Sequence, residues 1–264
     1  MEKIKRWIAT HRVWVCIISI FIVTAWTIVR WPNEVNGFIS FFIIYVGVLS
    51  PSVCANRIVN NAIAKLNNEC NPYPLLEESE FFLRYWNPKV WKHSFWVNKY
   101  CALREMGKYQ EAYEGLLAID REKMKRFPAV SKFIYYNNLA DICRLLRKYD
   151  EEQVWISKQD EIYAKVRTKS KKKQFQEITY LRVVGELVDK EAYEEALQTL
   201  EAIRPKNMRQ QVSIHEMYSQ IYLKTNDNEN ARIHLQEIIK KGNCLYAVEV
   251  AKERLGTIET YEYF

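Results

Sequence analysis

One short pattern, met four times, limits this chain more than any other feature. Tyr109-Gln-Glu-Ala112 is answered by Tyr149-Asp-Glu-Glu152, by Tyr193-Glu-Glu-Ala196 and by Asn228-Glu-Asn-Ala231. The steps are 40, 44 and 35 residues, enough for two helices and their turns. The clearest unit is Ala102–Asp120. Apolar residues recur there at helical spacing up to Met106 and again from Tyr109 to Ile119, with Gly107 between the runs. Glycine has no Cβ to resist positive φ, so a tight turn is expected at Gly107. Ala112 is small where two antiparallel helices must approach, and Leu116 and Ile119 fill the space beyond. One such hairpin cannot bury its apolar face alone, so the units must stack.

The first helix of each unit has its own echo: Trp96-Val-Asn98, Tyr136-Asn-Asn-Leu-Ala140, Val184-Gly185 and Tyr218-Ser219 followed by Tyr222. With these in place the units resemble tetratricopeptide repeats, whose pattern is an aromatic, Leu-Gly, a Tyr and a later aromatic-x-x-Ala. The resemblance covers about residues 91–242, with Cys244–Thr257 as a capping helix. It departs from the pattern at Lys99-Tyr100, where Leu-Gly is expected, and at Glu152, where a small residue is expected.

The resemblance implies an all-α chain in which stacked hairpins form a right-handed α-solenoid. Its concave groove, lined by first helices, would hold a protein or peptide. By register with the family the lining includes Arg104, Asn137, Asp141, Arg144, Arg182, Glu186, Glu216 and Gln220. These residues alternatively form a solvated helix face of internal ion pairs, each worth little. Val97 and Cys101 stand where chaperone-binding members carry Lys and Asn, so that activity is not carried over.

Ahead of the repeats, Val13 to Val29 runs seventeen residues without a charge, after a start holding Lys3, Lys5, Arg6 and Arg12. At 1.5 Å per residue this covers roughly 26 Å, near the thickness of a bilayer core. A signal peptide competes as an explanation, but no small-x-small cleavage site follows and a second uncharged run, Phe38 to Ala55, comes at once. A buried hairpin in a soluble core is the other alternative.

The expected organisation is a basic N-terminus at 1–12 and a transmembrane hairpin at 13–55, with spans 13–30 and 38–55. Ser50-Pro51-Ser52 is expected to kink the second span. A juxtamembrane stem or degenerate first repeat at 56–90, four repeats at 91–242 and a cap and tail at 243–264 follow. The basic flanks outnumber Arg30 in the turn, which places both termini and the repeats in the cytoplasm of a two-span cell-membrane protein. Six cysteines without a C-x-x-C pair agree with a reducing compartment.

The net charge of +7 is too mild to announce a nucleic-acid binder, and no nucleic acid is expected. Seven glycines, none closely spaced, exclude phosphate-cradling loops. The histidines at 11, 93, 215 and 234 show no metal-ligand spacing, and His215 takes a core aromatic's place. No cofactor and no catalysis are expected.

Cations gather at the junctions between units: Arg121, Lys123, Lys125 and Arg126; Lys169, Lys171, Lys172 and Lys173; Arg204, Lys206 and Arg209. In a stacked-hairpin solenoid these junctions share one edge. Favourable placement at helix C-termini accounts for part of the pattern, and an edge resting on anionic lipid headgroups for the rest. The expected function is a membrane-anchored scaffold or assembly factor. The alternative is a membrane-tethered sensor that binds a small peptide or ligand.

Overall fold

A computed structural model of the chain describes residues 2–30, 34–85, 92–119 and 127–261. Thirteen helices and no strands occur among the described residues. They are α1 (Glu2–Thr10), α2 (Arg12–Arg30), α3 (Glu34–Glu69), α4 (Tyr73–Tyr85), α5 (Lys92–Glu105), α6 (Tyr109–Leu117) and α7 (Ala129–Leu145). There follow α8 (Tyr149–Ala164), α9 (Lys169–Asp189), α10 (Tyr193–Glu201), α11 (Met208–Lys224), α12 (Asn228–Lys241) and α13 (Tyr246–Tyr261).

The four recurring patterns open α6, α8, α10 and α12, the second helices of four hairpins. Each turn before them has the same construction. Gly107, Arg147, Glu191 and Asn226 hold φ of 76°, 57°, 59° and 60°. The next amide reaches back to a carbonyl five residues earlier: Lys108 to Leu103 at 3.0 Å, Lys148 to Cys143 at 2.8 Å, Ala192 to Leu187 and Asp227 to Tyr222 at 2.9 Å. This left-handed cap satisfies carbonyls that a helix end leaves open. Glycine occupies it only at Gly107, where a Cβ would strike the Tyr246 ring. Ala112 is fully buried in a core with Tyr100, Leu116, Leu139, Ile142 and Trp155, and Ala196 takes the equivalent place beside Val184, Leu200 and Ile221.

The stack is not open-ended. One core joins Ala62, Leu66 and Leu75 of α3 and α4 to Val212 of α11, Ala231 and Leu235 of α12, and Ala251 and Ile258 of α13. The last three helices thus pack back onto α3 and α4. The α12–α13 connection reaches the α3–α4 turn, where Asn243 Nδ2 donates to the Glu69 carbonyl (2.7 Å) and the Cys244 amide to the Cys70 carbonyl (3.3 Å). A junction between units here meets a turn within a unit.

Residues 34–69 are one helix, not a span followed by a separate stem. α3 starts within the stretch read as a turn and runs through Pro51 without a break. Pro51 has no N–H for the Gly47 carbonyl. The Ser50 hydroxyl (3.4 Å) and the Cys16 thiol (4.0 Å) donate to that oxygen instead. α2 packs against α3 at this level, and a Cβ on Gly47 would collide with the Ser19 side chain. The two predicted spans therefore appear as a helix pair of another form. Arg12 and Arg30 belong to α2, and α3 continues into the protein core at Ala55, Ile58, Val59 and Ala62. Among the described residues no single helix is long and apolar enough to cross a membrane. One bent pair passes on length and composition, Lys3–Thr10 with Trp14–Trp26, meeting at 86°.

Candidate functional site

The first helices α5, α7, α9 and α11 bring the predicted groove residues to one inner face, and there the side chains engage each other. Arg104 Nη1 donates to Asp141 Oδ2 (2.9 Å) and to Asn138 Oδ1 (3.2 Å), and Asn137 Nδ2 donates to the same Asp141 oxygen (2.9 Å). Arg182 Nη1 donates to Glu186 Oε1 at 2.6 Å. Burial pushes the Asp141 carboxyl up against the pull of Arg104, Arg182, Arg144 and Arg209. Burial, with Glu105 beside it, raises Glu216 to about 7. Gln220 stands one turn from Glu216, half-buried.

Arg144 is a brace. Its Nε donates to buried Glu152 (3.1 Å) and its Nη1 to the Arg182 carbonyl (3.2 Å), while the guanidinium covers the space a Cβ on Gly185 would need. That explains how a carboxylate replaces the small residue expected at Glu152: Arg144 supplies the counter-charge for the buried group.

One link on this face joins residues the sequence did not bring together. Glu105 Oε1 accepts from Arg104 Nη2 (2.7 Å) and from Arg209 Nη2 (2.6 Å), across 104 positions. Burial alone would raise the Glu105 carboxyl, but Arg209 and Arg104 outweigh it and hold the group near 2. Arg209, read as part of a basic edge, is thus an inner-face residue. No local signal marks Glu105, because its partner arrives only when the stack closes. Asn138 and Gln159 were also missed. Gln159 is fully buried and donates to the Phe133 carbonyl (3.3 Å) and to Asn137 Oδ1 (3.2 Å).

The other junction cations scatter. Lys169, Lys171, Lys172 and Lys173 lie in the first two turns of α9, the positive end of the helix dipole, so the C-terminal explanation does not apply to them. Lys172 Nζ stands 5.6 Å from the Tyr163 ring centroid, and Lys206 pairs with Glu177 at 2.7 Å. Arg121, Lys123, Lys125 and Arg126 lie outside the described residues.

An open cleft of about 530 Å³ lies where α10 meets α11. Leu200, Ile203, Pro205 and Ile214 give it an apolar wall, and Arg204 and His215 a polar one. His215 is half-buried and holds a second histidine: the two Nδ1 atoms are 2.9 Å apart. One must donate and the other accept, so the two rings are not both protonated. Burial and nearby Lys241 push His215 down to about 4, and burial lowers His234. His234 stacks against both Tyr218 (4.6 Å) and Tyr222 (5.6 Å). Among the described residues no three His, Cys, Asp or Glu side chains form a metal-binding group.

A family model for a tetratricopeptide repeat-like domain matches residues 106–259, from the end of the α5 hairpin's first helix into α13. The chain belongs to that family. Tetratricopeptide repeat-like domains generally mediate protein–protein interactions, and the helical-repeat part of this chain is an interaction scaffold of that kind. Comparison with curated proteins and with solved structures found no match.

Proposed function

We propose that this tetratricopeptide repeat-like chain is a scaffold or assembly factor moored to the cell membrane by α2 and the first half of α3. The observation that carries the mooring is a set of large apolar side chains exposed on both helices. Trp14, Ile17, Ile20, Phe21 and Ile22 on α2 are exposed, as are Phe42, Tyr45 and Val46 on α3, with Phe21 at 74%. Exposed apolar side chains in this number are what lipid covers. Residues 34–54 of α3 reach roughly 31 Å at 1.5 Å per residue, a bilayer's thickness. The cations before α2 support a cytoplasmic side for the N-terminus and the repeats.

The chain acts by holding a protein partner and not by catalysis. The inner-face cations are spent on the protein's own carboxylates, so the partner's contact is the cleft beside Ile203 and Ile214. Alkaline extraction of membranes carrying the full chain tests the mooring: retention in the pellet is expected, and release overturns it. Photocrosslinkers at Arg204 and at Arg182 test the partner surface. The same protein captured from position 204 and not from 182 is expected; the reverse returns the partner to the inner face.

A sensor is the second reading, and the cleft's size favours it. At about 530 Å³ it falls within the range of small-ligand sites. A short peptide that raises the melting temperature without any protein partner would establish it.

A further inference from the structure

The structure assigns a lipid contact to α1: we infer that this helix lies in the plane of the membrane interface at the foot of the anchor. The inference rests on the mooring proposed above and adds a surface to it.

α1 meets the first part of α2 at 86°. If α2 stands along the bilayer normal, α1 is flat on the surface. Its depth is fixed by what it packs against. Ala9 is fully buried in a cluster with Ala55, Ile58 and Val59 of α3, Phe82 of α4 and Phe95 of α5. On α3 these residues follow directly on the exposed apolar part, since Val53 is open and Ala55 is covered. α1 therefore sits at the level where α3 passes from exposed apolar side chains to protein core.

The face of α1 turned away from that cluster is apolar as well. Ile4 is 63% exposed and Trp7 46%. They stand three residues apart, one face of a helix. His11 stacks on Trp7 at 5.1 Å, and Trp14 continues the surface onto α2. Lys3 flanks this face and is exposed. Apolar and indole side chains beside cations match a helix seated at the headgroup boundary. Arg6 keeps the helix in place. Its guanidinium donates to Glu77 (3.0 Å) and to Glu78, and it stands over the Phe81 ring at 5.3 Å. The contact thus passes from lipid through α1 to α4, the second helix of the first hairpin.

The test uses the full chain in vesicles of phosphatidylcholine and phosphatidylglycerol. A photoactivatable phenylalanine analogue is placed in turn at Trp7, at Phe21 and at Tyr73. Tyr73 is exposed but lies beyond the far end of α3, roughly 20 Å past Ala55. Lipid adducts are counted by mass. Adducts at positions 7 and 21, several-fold above those at 73, are expected. Adducts at 21 with position 7 no higher than 73 would overturn the interfacial helix and leave the mooring intact. No adducts at 21 would overturn the mooring and the inference with it.

Discussion

Replacing Glu105 by glutamine tests the closure of the stack at its most charged point. Glu105 takes hydrogen bonds from Arg104 in its own hairpin and from Arg209 on α11. The Glu105 side chain is 12% exposed and that of Arg209 23%, so water screens the group only slightly. Holding a carboxyl near 2 rather than at its ordinary 4.5 is worth roughly 3 kcal/mol, at about 1.36 kcal/mol per pH unit. Breaking a buried ionic group by removing one partner typically costs about 3–5 kcal/mol, and the water near Arg209 favours the lower end. Glu105→Gln should therefore lose about 3 kcal/mol at pH 7. Because the folded carboxyl lies below its unfolded value, this stability is complete above about 4.5 and fades as pH falls through 2. Urea unfolding followed by helical circular dichroism measures it, and the gap between the two proteins should narrow on acidification. A double-mutant cycle with Arg209→Met isolates the long-range pair. A loss below about 0.5 kcal/mol, or simple additivity in the cycle, would refute the closure.

Glu216 should behave oppositely. Its carboxyl is raised to about 7, so the charged form weighs on the fold above that pH, and Glu216→Gln should gain stability at pH 8 and little at pH 5. Glu191→Gly should stabilise by about 1 kcal/mol, because a non-glycine residue in the left-handed region costs about that much. Gly107→Ala should instead destabilise, having both positive φ and the Tyr246 ring against it; equal effects at the two turns would contradict the contact with Tyr246. His215 is held near 4, below its unfolded value, so its contribution to stability is present above about 6.5 and lost as pH falls toward 4. His215→Phe should flatten that part of the stability–pH curve. Ala112→Glu should cost several kcal/mol by forcing bulk and charge into a full core, and a normally stable variant would place that helix face elsewhere.

The hairpins were legible because their signals are local. Tyr109, Tyr149, Tyr193 and Asn228 recur at unit length, and Gly107 marks a turn that Arg147, Glu191 and Asn226 repeat without glycine. What lies between units was not legible. The approach of Tyr246 to Gly107, and of Arg209 to Glu105, depends on how rotations between hairpins add up, and no local periodicity carries that sum. Register puts Arg104, Asp141 and Arg182 on first helices, but it does not show that Arg104 meets Asp141 and Asn138 or that Arg182 meets Glu186. The register of Arg144 does not show that its guanidinium meets Glu152 and fills the space beside Gly185. The uncharged run to Ala55 suggested a helix ending near there. α3 instead changes surroundings without changing conformation, and composition does not distinguish a helix that stops from one that enters a core.

The contact of the last helices with α3 and α4 sets a limit on the architecture. An open array of helical hairpins can gain or lose a unit, fray from its ends, and keep its remaining interfaces. Here Asn243 holds Glu69, Tyr246 covers Gly107, and Leu235 shares a core with Leu66. Removing one hairpin would pull every one of these pairs out of register. The number of units is therefore fixed by geometry, and unfolding should proceed as one cooperative event instead of peeling from a terminus.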